Sequence, residues 1–168
     1  PVGLFPEIAR RVALAGQEIG NHTMTHRKLH VAGPAAIEAE LSGARSMIET
    51  VTGVTPRFFR APHGLRNPFV TRAAHRTGCA VVGWTFGVWD SDRPGAQVIR
   101  ERVRKGLRPG AIILLHDGAD ADPAGDRAQP AEALPGILSD AADAGYTFGV
   151  LSELPIQTPT ARAGFVGS

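Results

Sequence analysis

Apolar positions along the chain switch repeatedly between a helical period and short unbroken runs. "PEIARRVALAG" spaces its apolar residues for one helical face, with a proline at its front and Gly16 at its close. "QEIGNH" then reads as a short strand-like exit, and "GPAAIEAELSGARSMIETVTG" as a second helix opened by Pro34 and closed by Gly53. "RFFRAP" is a strand halted by Pro62. "NPFVTRAAHRTG" is a helix with Asn67 at its N-cap and Pro68 at its first position. "CAVVGW" and "GAIILLHDG" are apolar runs of strand length, with the helix "RPGAQVIRERVRKGL" between them. The loop "ADADPAGDRAQP" leads to the helix "AEALPGILSDAADAG" and the strand "YTFGVLSEL"; "PIQTPTARAGFVGS" reads as a surface tail.

Strands that are apolar throughout, separated by amphipathic helices, predict parallel βα units covered on both faces. That means an α/β barrel or an open doubly wound sheet, with chemistry at the C-terminal ends of the strands. Those ends are chemically loaded. The first delivers His22 and His26, the second Arg60, Pro62, His63 and Gly64. "VVGWTFGVWDSD" delivers Trp84, Trp89 and Asp90, and "IILLHDG" delivers His116 and Asp117. The four-residue spacing of His22 and His26 places both on one face of a helical turn, which suits capture of a divalent ion. Taken by itself, the pair is better explained as two histidines that share a solvated face. His30 fits a solvated helix start and His75 a helix C-terminus, where the dipole favours it. Asp92 reads as a turn residue. Arg60, at a buried strand end, requires an anionic partner. His116 follows four apolar residues and is either satisfied by a carboxylate or used as an acid/base.

Composition narrows the partners. The 168 residues, 43% hydrophobic, suffice for one domain with a core. A net charge of only +2, without a basic stripe interleaved with aromatics, argues against nucleic acid as a partner. No apolar run approaches the roughly 20 residues of a membrane-spanning helix. The single cysteine, Cys79, forms no intrachain disulfide and reads as a small buried hydrophobe.

In this order, "HTMTH", "RAPHG", "WTFGVWDS" and "LLH" resemble the motifs of the polysaccharide deacetylases of the NodB-homology type, carbohydrate esterase family 4. The flanking "ALAGQEIGNHT" and "LRPGAIILLHDG" are similar to family members as well. The resemblance implies a distorted (β/α) barrel occupying residues 1–154, followed by a tail over 155–168. It implies a metal-dependent hydrolase that removes acetyl groups from N- or O-acetylated saccharides of the chitin oligosaccharide, peptidoglycan or acetylxylan type. The metal would be one divalent ion held by His22 and His26, zinc first, with cobalt, nickel or manganese as alternatives. The catalytic set would be Arg60, which orients the base, Asp90, which orients the acid, and His116, which protonates the leaving group. His63 (through its backbone N–H, at the oxyanion), Gly64, Leu114 (at the acetyl methyl) and Trp89 would contact the substrate. Two other readings stay open. One is a non-catalytic fragment of the same fold that retains metal or sugar binding; the other is an amidohydrolase of that fold acting on small amides.

Three departures from the family pattern stand out. His63 occupies a position where many members have Tyr or Phe. Ser91 replaces the common Trp after Asp90. The Thr-Phe-Asp-Asp-Gly motif, which supplies the base and the third metal ligand, has no match, and the sequence holds no Asp-Asp pair. The expectation is therefore an N-terminally incomplete barrel of about five strands, with the first two missing and an open edge that a second copy of the chain could cover. The resemblance implies a cell-envelope or secreted location as the family expectation, while the residues themselves name no compartment and leave the cytoplasm open.

Overall fold

The computed structural model describes residues 2–118 and 126–153; the expected tail, and most of the loop before the last helix, lie outside them. Among the described residues, five α-helices and four strands follow in the order α1 (Pro6–Leu14), α2 (Pro34–Thr52), β1 (Phe58–Phe59), α3 (Pro68–Arg76), β2 (Ala80–Val81), β3 (Phe86–Gly87), α4 (Ala96–Gly106), β4 (Ile113–Leu114) and α5 (Ala128–Asp143). The helices fall where periodicity and caps put them. Pro34 opens α2, and Gly53 closes it in the left-handed region at φ 72°. Asn67 caps α3, its side chain accepting from the Val70 amide at 3.1 Å.

The strands are parallel, as the unbroken apolar runs require, but shorter than those runs. β1 pairs with β2 in the register Phe58–Ala80, and β3 with β4 in the register Phe86–Ile113. "QEIGNH" contributes one parallel bridge, Asn21 to Phe59, closed by Asn21 N–H to Phe58 O at 2.8 Å and Arg60 N–H to Asn21 O at 2.9 Å. Two expectations are corrected. β3 lies inside "WTFGVW", which gave no separate strand signal. Residues 146–150 form no strand, and Leu151–Glu153 make a short 3-10 turn. Alternating apolar residues there have no ladder partner among the described residues, and strand propensity without a partner does not hold a strand.

Two hydrophobic clusters support the two pairs of strands. Leu29, Ile37, Leu41, Phe59, Val70, Ala73, Ala74 and Cys79 close the core under β1 and β2. Val88, Ile99, Val103, Ala133 and Ile137 close the second under β3 and β4. Burying each large aliphatic side chain contributes about 1.5–3 kcal/mol. In the second half, Arg100 on α4 also grips Asp140 on α5 with both fork nitrogens, at 2.8 and 2.6 Å. Phe5, just before α1, and Ile8, Val12 and Leu14 on it remain exposed. No helix of the described residues is long and apolar enough to cross a membrane.

Candidate active site

The chemically capable residues follow the C-terminal ends of the strands, as parallel topology requires. They form two groups. The first gathers the bridge at Asn21 and the residues after β1. His22 Nδ1 donates to the backbone oxygen of Arg60 at 2.7 Å. A carbonyl can only accept, so the His22 proton sits on Nδ1 and its Nε2 carries the lone pair. That nitrogen lies 3.1 Å from Nε2 of His26, and the two rings meet edge to face with centroids 4.8 Å apart. Two imidazoles on one tetrahedral ion, each about 2.0–2.1 Å from it, place their nitrogens about 3.3 Å apart. The geometry of the pair therefore fits a shared divalent cation. Among the described residues no third His, Cys, Asp or Glu completes such a set.

The spacing achieves this by another route than the helical turn expected from it. Residues 22–26 are not helical; Thr23 and His26 have φ of 73° and 58°. Non-glycine residues in that region store about 1–3 kcal/mol each and persist only where surroundings impose them. Here buried polar groups impose them. Asn21, 1% exposed, donates from Nδ2 to Leu41 O at 2.8 Å and accepts the Thr23 amide at 3.0 Å. The Thr23 hydroxyl accepts the His26 amide at 3.0 Å. Glu40, 7% exposed on α2, accepts from the amides of Met24 and Thr25 and from the Thr25 hydroxyl. Neither Asn21 nor Glu40 was singled out from the sequence. A signal existed for Glu40: it sits on the apolar stripe Ile37, Leu41, Ala44 and Ile48 of α2.

Arg60 leaves β1 beside this loop. It donates from Nη2 to Gly83 O at 2.9 Å, and its buried Nε has no acceptor among the described residues. Burial pulls the guanidinium below its ordinary value. The required anion is thus not supplied by the described residues. His63, at φ 55°, lies edge to face with His26 at 5.0 Å between centroids. Gly64 follows at φ 71°, and a Cβ there would stand 2.6 Å from Cη2 of Trp84, so only glycine lets the indole lie against this turn.

The second group is built on β3 and β4. Asp90, 1% exposed, accepts from His116 twice: from the backbone amide at 2.7 Å and from ring Nδ1 at 2.9 Å. The two-point grip fixes the ring's orientation and assigns its Nδ1 proton, leaving Nε2 for other chemistry. Leu114 stands opposite Gly87 in the strand register. Trp89, at φ 55° and 71% exposed, presents an open indole face next to Asp90. Every sequence-predicted site residue thus belongs to one of two clusters. His22, His26, Arg60, His63 and Gly64 make the first, and Leu114, Trp89, Asp90 and His116 the second.

Comparison with known proteins places this arrangement. The profile described as polysaccharide deacetylase matches residues 2–82. A peptidoglycan-N-acetylglucosamine deacetylase of Bacillus cereus is 33% identical over 154 residues, covering 89% of this chain and 68% of that protein. The chain belongs to the polysaccharide deacetylase family. A chitooligosaccharide deacetylase of a Bradyrhizobium species is 40% identical over 114 residues, 67% of this chain and 52% of its own length. The chain therefore spans about half the length of that relative. Among solved structures, a pseudoenzyme of carbohydrate esterase family 4 from Bacillus anthracis superposes with a TM-score of 0.80 at 29% identity, over 91% of this chain and 51% of that one. A mutant of that pseudoenzyme with restored enzymatic activity superposes equally well, with a TM-score of 0.81. The fold is accordingly the NodB-type deacetylase fold, and the expected α/β class holds.

Proposed function

We propose that the chain forms the greater part of a metal-dependent deacetylase site acting on N- or O-acetylated saccharides. The observation that carries this reading is the convergence of the two Nε2 atoms, 3.1 Å apart, with the His22 tautomer fixed by Arg60 O. A divalent cation bound there, zinc before cobalt, nickel or manganese, would polarise the acetyl carbonyl and activate water. The chain's own residues would do the rest. Arg60, with a buried Nε donor lacking an acceptor among the described residues, would orient the carboxylate base. The His63 backbone N–H would face the oxyanion, and Gly64 would keep that turn open. Leu114 would receive the acetyl methyl, and Trp89 would stack on a sugar face. His116, oriented by Asp90, would protonate the departing amine or alcohol from Nε2. The relatives named as chitooligosaccharide and peptidoglycan-N-acetylglucosamine deacetylases support acetylated amino sugars as the first substrates to try.

A second reading, a binding module without catalysis, draws support from the likeness to a pseudoenzyme and from a metal-ligand set limited to two histidines among the described residues. One experiment separates them: metal content and acetate release from acetylated chito-oligosaccharides, with His22→Ala beside the unmodified chain. The deacetylase reading expects both to be lost together in the variant. Metal bound without acetate release in the unmodified chain would favour the second reading.

A further inference from the structure

We infer that Glu40 is a positioning residue for metal capture: it holds the 22–26 loop in the shape that brings the two Nε2 atoms together. A carboxylate that is 7% exposed on the apolar stripe of a helix is expensive unless its oxygens are satisfied. Among the described residues, every hydrogen bond it accepts comes from the two residues just before His26. One oxygen takes the amides of Met24 and Thr25 at 3.0 and 2.8 Å, and the other takes the Thr25 hydroxyl. Those amides belong to a loop whose Thr23 and His26 are both at positive φ, so its shape is imposed from outside. Asn21 anchors the start of the loop to α2 through Leu41 O, and Glu40 anchors its middle from the preceding residue of the same helix. Helix α2 therefore shapes the loop that presents both histidines, through Glu40's bonds to the main chain of Met24 and Thr25 and to the Thr25 hydroxyl. Outer groups that orient metal-binding histidines typically change affinity by about 10- to 100-fold when removed.

This inference rests on the reading that His22 and His26 hold a cation, and its test keeps the two apart. The chain is titrated with Co²⁺ alone, followed by visible absorption and by competition with a chelator, and amide exchange is measured at Met24 and Thr25. Glu40→Ala should weaken Co²⁺ binding about 10- to 100-fold and speed exchange at those two amides. Glu40→Gln should rescue both to within about threefold: its oxygen can accept the two amides while its NH₂ donates to the Thr25 hydroxyl. Ile48→Ala, on the same helix and 4% exposed, serves as the stability control. It should lower the melting temperature and leave Co²⁺ affinity alone.

Co²⁺ binding as tight in Glu40→Ala as in the unmodified chain would overturn the inference and leave the metal reading standing. Equal weakening by Ile48→Ala would overturn it too, because the effect would then be general destabilisation. If the unmodified chain binds no Co²⁺, the metal reading falls and exchange decides the loop's dependence on Glu40. Unchanged protection at Met24 and Thr25 in Glu40→Ala would then refute it.

Discussion

In the first half of the molecule, two histidines are presented by a loop with left-handed φ at Thr23 and His26, shaped by side chains reaching in from elsewhere. In the second half, one buried carboxylate grips one histidine by ring and main chain across adjacent strands. The first arrangement leaves two ring nitrogens converging on one point. The second fixes a single ring and leaves a single nitrogen. Convergence suits holding an ion; a fixed lone nitrogen suits moving a proton. The difference teaches that the ends of parallel strands in one chain need not share one design. Each half rests on its own hydrophobic cluster, so each can be disturbed by itself.

The largest effect should come from His116→Ala. If the second half only moves a proton, acetate release should fall about 100- to 10,000-fold while metal content stays unchanged. Loss of metal in that variant would erase the division between the halves. Next come the two cores. Phe59→Ala, in the first cluster and fully buried, should cost about 3–5 kcal/mol of unfolding free energy, read by urea titration. Because Arg60 O holds His22 directly after Phe59, metal affinity should fall with it. Ile99→Ala, in the second cluster, should cost about 2–5 kcal/mol and spare metal affinity. Equal loss of metal in both variants would mean that the halves are coupled.

Much of this was legible beforehand, for physical reasons. Helices announce themselves through period and caps, and Pro34, Gly53, Asn67 and Pro68 stand where α2 and α3 begin or end. His22, His26, Arg60, Asp90 and His116 were legible because parallel topology exposes whatever follows a strand. Strand extent was not. β3 and the expected strand from residue 146, which does not form over 146–153, differ in their ladder partners, which a local window does not contain. Glu40 was hidden for a different reason. A glutamate in an amphipathic helix is ordinarily solvated, and only its place on the Ile37–Leu41 stripe marked it as buried. The loop geometry of 22–26 was also invisible, because two histidines four apart are read as helical neighbours.

The smallest effect concerns the second half alone. Hydrogen bonding to Arg100 holds the Asp140 carboxyl below its ordinary value of 3.8. A carboxyl depressed by folding adds stability above its unfolded value and loses it as pH falls through the folded one. Asp140→Asn should therefore melt slightly earlier than the unmodified chain at neutral pH, with the gap closing in acid. A gap that persists unchanged below the ordinary carboxylate range would assign the difference to packing rather than charge.

The central claim, that the first half captures the metal and the second moves the proton, meets its most direct test in a paired measurement. Metal content and acetate release are followed in the unmodified chain, His22→Ala and His116→Ala under one set of conditions. The account predicts that His22→Ala loses both, whereas His116→Ala keeps its metal and loses acetate release. Metal retained in His22→Ala, or lost in His116→Ala, would contradict it.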